Sequence, residues 1–182
     1  AGSGGTGSLS YTFNGTTNST GEFTGVTTGT AYAWSVTDVN LCGPATGTLD
    51  VSEPSEIMGS GSVTSDYNGS QLSCTNSSDG EITVTASGGT GTLQYGIDGG
   101  SYQSSNVFTG LGGGNHTLSV KDANDCEVSL TEVSIEAPEA ILASASVTSA
   151  ITCHGGKATI TISASGGTGD LQYTFNGNTN GD

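Results

Sequence analysis

One sequence block occurs three times in this chain: Ser-Gly-Gly-Thr-Gly, then an alternating Leu-x-Tyr-x-Phe/Ile run, then Asn-Gly or Asp-Gly. The copies occupy 3–15, 87–99 and 165–177, so they begin 84 and 78 residues apart. Self-similarity at such a period is typical of proteins in which each repeat is one structural unit. The sequence therefore predicts units of about 80 residues joined in series.

Each block is expected to be a turn that leads into a strand. Its glycines favour a tight reversal, because glycine takes positive φ without steric cost. In the central copy, Leu93, Tyr95 and Ile97 alternate with small or polar residues, which predicts a strand with one buried face. The Asp98-Gly99 pair predicts a hairpin turn. A glycine-rich phosphate loop is followed by a helix, so we interpret the block as a connecting turn of a β domain.

The charge of the chain limits its partners. It has 17 acidic residues, two lysines and no arginine, which gives a formal net charge of −15. Such a chain repels nucleic acids and anionic membrane surfaces. The apolar residues form short alternating runs rather than the roughly 18 consecutive residues of a membrane span. We therefore expect no nucleic-acid partner and no membrane insertion in this segment.

The repeats, together with the Glu53-Pro54 and Ala137-Pro138 steps, predict three parts: 1–54, 55–138 and 139–182. The middle part is expected to be a complete unit. The first part matches the C-terminal portion of a unit (strands C to G), and the last part matches the N-terminal portion (strands A to C). We expect each partial unit to be completed by a neighbouring repeat. Boundaries near Pro54 and Pro138 should be stiff, because proline restricts its own φ and the preceding residue.

The strand pattern of the complete unit predicts an all-β fold. Its short alternating runs, separated by Gly, Asn and Asp turns, are typical of an immunoglobulin-like β-sandwich, and no segment has helical spacing with helix caps. The fold class is thus tandem immunoglobulin-like β-sandwich repeats. We assign the strands as A (57–65), B (81–86), C (92–97), E (107–111), F (115–121) and G (127–135), with a bulge expected near 131–132 where the apolar phase slips.

The first part can be matched to the complete unit. Residues 16–21 are predicted to be a polar loop, 22–26 to match strand E, and 30–38 to match strand F. Tyr32 then stands where immunoglobulin-like domains carry a tyrosine corner at the start of strand F. His116 occupies the matching place in the complete unit, which favours a structural role over a catalytic one.

Several spaced motifs resemble the SprB repeat of very long bacterial surface adhesins. They are Cys74, Asp79–Val84, Ser87–Gly91, Phe108–Leu111 and Val120–Cys126. The family usually has Asn-Gly-Cys where this chain has Asn124-Asp125-Cys126 and Asn40-Leu41-Cys42. The resemblance implies an extracellular, cell-surface protein that is exported by the type IX secretion system and linked to gliding.

On this resemblance, the expected function is that of a stalk that mediates surface attachment and is not an enzyme. A carbohydrate- or surface-binding module is the alternative. Glycan readers usually expose aromatic residues, whereas the 11 aromatics here fall mostly at alternating core positions, which favours the stalk. The expected partners are neighbouring repeats of the same chain or filament, with extracellular surfaces or glycans as further partners.

No catalytic or cofactor-binding residues are predicted. His116 and His154 lie in different units, and neither belongs to a recognisable nucleophile motif.

Four cysteines, Cys42, Cys74, Cys126 and Cys153, are disulfide candidates because exported proteins favour oxidation. A bridge between Cys74 and Cys126 would lie within one unit. In an immunoglobulin-like unit, however, these turns are at opposite poles, about 26 Å apart along an eight-residue strand, whereas a disulfide needs Cα atoms within about 7 Å. Stacked units would instead bring Cys74 to the next unit's counterpart of Cys126. An inter-unit bridge, an intra-unit bridge and free thiols all remain open.

A calcium site is the one cofactor hypothesis. Glu53 and Glu56 precede the complete unit, and Asp122, Asn124 and Asp125 lie in its F–G turn, which should face the same joint. Calcium takes six to eight oxygen ligands of these kinds. The competing and favoured interpretation is ordinary turn chemistry with solvated glutamates.

Overall fold

The computed structural model describes residues 4–41 and 44–181, and every regular element within them is a β-strand. The chain divides into two compact units, Ala1–Pro54 and Ser55–Asp182. This single division lies next to Pro54, where one boundary was predicted. The predicted boundary near Pro138 lies inside the second unit. Within the described ranges, no helix is long and apolar enough to cross a membrane.

The first unit contains one four-stranded antiparallel sheet with the order β2-β1-β3-β4. Its strands are β1 (Leu9–Phe13), β2 (Thr16–Asn18), β3 (Gly29–Asp38) and β4 (Ala45–Val51). The predicted Asn14-Gly15 turn is confirmed, with φ of 45° and 82°. The predicted polar loop over 16–21 is wrong at its start, because this two-residue turn lets the ladder continue, with Thr16 opposite Phe13.

The central repeat, at the start of the second unit, has eight strands. They are β5 (Met58–Val63), β6 (Gly80–Ser87), β7 (Gln94–Ile97), β8 (Val107–Leu111), β9 (Gly114–His116), β10 (Leu118–Lys121), β11 (Glu127–Ser129) and β12 (Val133–Ile135). One sheet has the order β5-β6-β8 and another the order β7-β10-β11, while β9 pairs with β12. Predicted strand F is interrupted at Thr117, and predicted strand G is interrupted between 129 and 133, at the expected phase slip.

The core of the second unit lies between these sheets. Its eight buried apolar residues come from both sheets, from β12, from the segment just before β5 and from one loop: Ile57, Leu72, Ile82, Val84, Phe108, Leu118, Val120 and Ile135. Ile82 and Val84 alternate along β6, and Leu118 and Val120 alternate along β10, which is how a strand presents one buried face. Leu72 comes from the 66–79 loop, and alternation could not identify it.

The third repeat forms two hairpins, from β13 (Leu142–Ser149) with β14 (Thr159–Ser165) and from β15 (Gln172–Phe175) with β16 (Asn178–Gly181). The β13–β14 hairpin has the same register as β5–β6: Val147 lies opposite Ile160, as Val63 lies opposite Ile82. Burial differs, however. Ile160 is 42% exposed, whereas Ile82 is fully buried.

The predicted strand over 22–26 is not formed. Its counterpart β8 pairs with β6 in the central repeat, where Phe108 lies opposite Ile82. Among the described residues of the first unit, no strand equivalent to β6 is present, so this segment has no ladder partner within the unit. The Phe23 ring contacts Phe13 instead, with centroids 5.4 Å apart.

The repeat provides a matched pair of core substitutions. Ile82→Ala should lower the free energy of unfolding by about 3 kcal/mol, because it removes a fully buried side chain and leaves a cavity. Ile160→Ala, at the equivalent strand position, should cost less than about 1 kcal/mol in dilute solution, since this side chain is already partly exposed. Urea unfolding of both variants tests this, and equal losses would contradict the assignment of the core.

Candidate functional site

A buried aspartate holds the glycine-rich turn of the central repeat. Asp122 is 3% exposed and lies between β10 and β11. Its Oδ2 accepts a hydrogen bond from Thr90 N at 2.8 Å, and its Oδ1 accepts bonds from Asn124 N at 2.8 Å and Cys126 N at 3.0 Å. These bonds, that of Thr90 first, lower the pKa of the Asp122 carboxyl because they favour its charged form.

Glycine is required where the turn approaches this carboxylate. Gly89 has φ of +68°, and a Cβ at this position would lie 2.9 Å from both Asp122 Cβ and Ile57 Cγ1. Such a contact is too close for any other residue, and the backbone conformation also favours glycine. Gly89 N donates to Ser55 O at 2.8 Å, so the turn is bound to the start of the repeat as well.

The first unit contains the same arrangement. Asp38 is 4% exposed, and it accepts hydrogen bonds from Thr6 N and from Asn40 N, each at 3.0 Å. A Cβ on Gly5 would lie 3.1 Å from Asp38 Cβ. We call this arrangement the turn clamp: Thr6 with Asp38 in the first unit, and Thr90 with Asp122 in the second.

The glycine-rich turn of the third block contacts a loop of the central repeat, and no aspartate contact to it is seen among the described residues. Gly167 N donates to Glu139 O at 2.8 Å, which repeats the bond of Gly89. Thr168, however, contacts the central repeat, and its Oγ1 donates to Ser73 O at 2.8 Å. A Cβ on Gly169 would lie 2.8 Å from Asn68 Nδ2. The loop between β5 and β6 therefore packs directly on the glycine-rich turn of the next repeat.

The calcium candidates in the F–G turn of the second unit have protein partners. Both oxygens of Asp122 accept backbone amide bonds, and Asp125 Oδ1 accepts a bond from Lys121 Nζ at 2.7 Å. Glu53 and Glu56 are exposed and belong to different compact units. Within the described ranges, no group of three or more His, Cys, Asp or Glu residues is arranged to hold a metal ion. Asn124 contributes its backbone amide to the turn clamp.

Three of the cysteine candidates can be placed. Cys74, Cys126 and Cys153 are exposed free thiols in this structure, so the intra-unit bridge from Cys74 to Cys126 is not formed in it. Cys42 lies outside the described residues. Cys74 borders a cleft of about 530 Å³ at the contact between repeats, which Ile141 and Thr168 also line.

His116 makes the contacts of a structural residue. Its Nδ1 is 2.7 Å from Asp98 Oδ2, and its Nε2 is 3.1 Å from Gly112 O, four residues earlier. Tyr32, at the matching position in the first unit, donates from its hydroxyl to the carbonyl of Thr28, also four residues earlier, at 3.4 Å. Burial opposes the imidazolium, but the hydrogen bond to Asp98 and then that to Gly112 outweigh it, and the pKa of His116 is raised.

Comparison with family models, curated proteins and solved structures gave no match for this chain. The resemblance to the SprB repeat stays a prediction.

Sequence reasoning missed the turn clamp. It considered Asp122 as a cation ligand and did not single out Asp38. A signal was nevertheless present: the block threonine and the aspartate are 32 residues apart in both copies, Thr6 to Asp38 and Thr90 to Asp122. An aspartate at a constant distance from a glycine-rich turn indicates a contact between two turns.

The turn clamp predicts a large effect of one isosteric change. Asp122→Asn removes the charge and one acceptor, so it should lower the melting temperature by about 5–10 °C near neutral pH. Because the carboxyl pKa is lowered on folding, the difference should shrink as the pH falls below its ordinary value of 3.8. Asp170→Asn, at an exposed position, is the control. Equal melting curves for the two variants would contradict the clamp.

The His116–Asp98 pair predicts a pH dependence of opposite sign at higher pH. A histidine with a raised pKa stabilises the fold fully below its ordinary value of 6.5, and this contribution is lost as the pH rises through the raised pKa. The effect should be about 0.5–1 kcal/mol, since the Asp98 side chain is 48% exposed and partly screened.

His116→Tyr tests the pair, because it installs the residue of the first unit and removes the titration. Urea unfolding between pH 5.5 and about 8.5 should lose its downward slope in this variant. His154→Tyr, at an exposed position, should keep the slope. A slope that persists in His116→Tyr would exclude this pair as its origin.

Proposed function

We propose that this chain is a structural segment of a bacterial cell-surface stalk, built from immunoglobulin-like repeats in series. In this role each repeat is a spacer that carries an adhesive region away from the cell. The resemblance to SprB repeats supplies the expectation of surface attachment and gliding. The observation that carries the proposal is the direct packing of one repeat on the next.

The strand order supports the immunoglobulin-like part of the proposal. The sheet β5-β6-β8 corresponds to the order A-B-E, and the sheet β7-β10-β11 to C-F-G. These are the strand neighbours of an immunoglobulin sandwich. The hydrogen bond from the Tyr32 hydroxyl to a carbonyl just upstream is also that of a tyrosine corner. His116 makes the equivalent bond in the central repeat.

The contact between repeats supports the stalk. Thr168 Oγ1 donates to Ser73 O at 2.8 Å, and Thr75 Oγ1 donates to Pro138 O at 2.9 Å. These bonds connect the β5–β6 loop to the glycine-rich turn of the third repeat and to the segment between β12 and β13. Such a contact restricts the orientation of one repeat relative to the next, as a stiff spacer requires. A flexible linker would leave this orientation free. A formal charge of −15 also opposes side-by-side association of such segments.

Immuno-electron microscopy tests the proposal. Antibodies raised against the purified chain should label intact, unpermeabilised cells that produce the protein, with gold particles along filaments that extend from the surface. Label that is found only after permeabilisation would overturn the proposal. Label confined to filament tips, together with binding of the purified chain to immobilised glycans, would favour the carbohydrate-binding module instead.

A further inference from the structure

The β13–β14 hairpin presents an apolar face that its central counterpart buries. Val147 is 62% exposed and Ile160 is 42% exposed. In the β5–β6 hairpin, which has the same register, Ile82 and Val84 are fully buried against the sheet that contains β10. The third-repeat hairpin is therefore one half of a sandwich core.

The sheet of the first unit presents a face equivalent to the one that covers β6 in the central repeat. Its sheet places Tyr11 opposite Val36 and Phe13 opposite Trp34. The central repeat has the same pairs in the same places, Tyr95 with Val120 and Ile97 with Leu118. There, Val120 and Leu118 are 0% and 2% exposed and belong to one core cluster with Ile82 and Val84 of β6. In the described part of the first unit, no second sheet covers this face, and Trp34 and Val36 are only half-buried.

The chain exposes more surface than two compact globules of the same sizes. Two compact globules of 54 and 128 residues would together expose about 9500 Å², whereas the chain exposes 11940 Å². The surplus of about 2400 Å² exceeds the roughly 1600 Å² that a specific protein–protein interface buries in total.

We propose that the β13–β14 hairpin of one molecule docks on the first-unit sheet of a second copy of this chain and completes an intermolecular sandwich. The central repeat supplies the register. Ile82 lies opposite Phe108 between β6 and β8, so Ile160 should lie opposite Phe23 of the second copy. The receiving segment, residues 22–26, resembles β8 in the backbone conformation of its glycine. The φ angle is 69° at Gly25 and 75° at Gly110. The added strand supplies the ladder partner that this segment lacks.

The β15–β16 hairpin duplicates β1–β2 and must move aside when the sandwich forms. It shares no ladder with β14, because β13–β14 and β15–β16 are separate two-stranded sheets. Strand β1, by contrast, pairs with β3 over five residues. We therefore assign the place of strand C in the completed sandwich to β1 of the second copy.

The donor face and the receiving face are at different parts of the chain, so the contact is heterologous, and its repetition generates rings or open chains of molecules. This assembly does not depend on the proposed stalk function. It follows from the two half-cores.

Analytical ultracentrifugation of the full chain tests the assembly. The weight-average mass should rise continuously with concentration. Ile160→Asp should raise the apparent dissociation constant at least about 30-fold, as loss of a central apolar contact does. Phe175→Asp is the matched control, because Phe175 is 55% exposed in the same repeat but lies on the displaced hairpin. A wild-type chain that stays monomeric up to about 1 mM, or an equal effect of the control, would overturn the proposal.

Mixing two variants excludes misfolding as the explanation. Ile160→Asp keeps the receiving face, and Phe23→Asp keeps the donor face, so each alone should be monomeric. A mixture should form a one-to-one dimer that neither variant forms alone. Folded variants that remain monomeric when mixed, with a wild type that assembles, would show that another surface is responsible and would overturn the proposal.

Discussion

The buried carboxylate of Asp122 is the interaction on which the central repeat depends. It lies where three chain segments meet: the start of β5, the glycine-rich crossover from β6 to β7, and the turn between β10 and β11. Because β6 and β7 belong to different sheets, the clamp joins the two sheets at one pole. A buried charge is tolerated only when hydrogen bonds replace its hydration, and three backbone amides do so. In the first unit, Asp38 is likewise buried and accepts hydrogen bonds from backbone amides.

The contact between repeats uses the same turn in a different way. Among the described residues, the glycine-rich turn of the third block contacts no carboxylate. The loop after β5 packs on this turn instead, and Thr168 donates a hydrogen bond to Ser73. The glycine-rich turn is an internal joint in the first two copies, and in the third copy it meets the preceding repeat. Glycine suits both settings, since a side chain at Gly89 would collide with Asp122 and Ile57, and one at Gly169 would collide with Asn68.

Much of the fold was predictable because it depends on local signals. Alternation along β6 and β10 identified the buried face, and the Asn-Gly and Asp-Gly pairs identified the turns. Features that depend on distant partners were not predictable in this way. Residues 22–26 look like β8 but lack their pairing strand, and Leu72 is buried from a loop without periodicity. Asp122 resembled a cation ligand. In a sequence, an acidic turn residue that binds a cation looks the same as one that accepts hydrogen bonds from backbone amides.

A carboxylate clamps the glycine-rich turn in two of the three repeats. Amide hydrogen exchange, measured by NMR on the dilute chain, tests this clamp most directly. The amides of Thr6 and Thr90 should exchange slowly, because each donates to a buried aspartate. The amide of Thr168, which meets no carboxylate within the described ranges, should exchange rapidly. Asp122→Asn should release Thr90 while the Thr6 amide stays protected. Rapid exchange of Thr6 and Thr90 in the wild-type chain, at the rate of Thr168, would contradict the account.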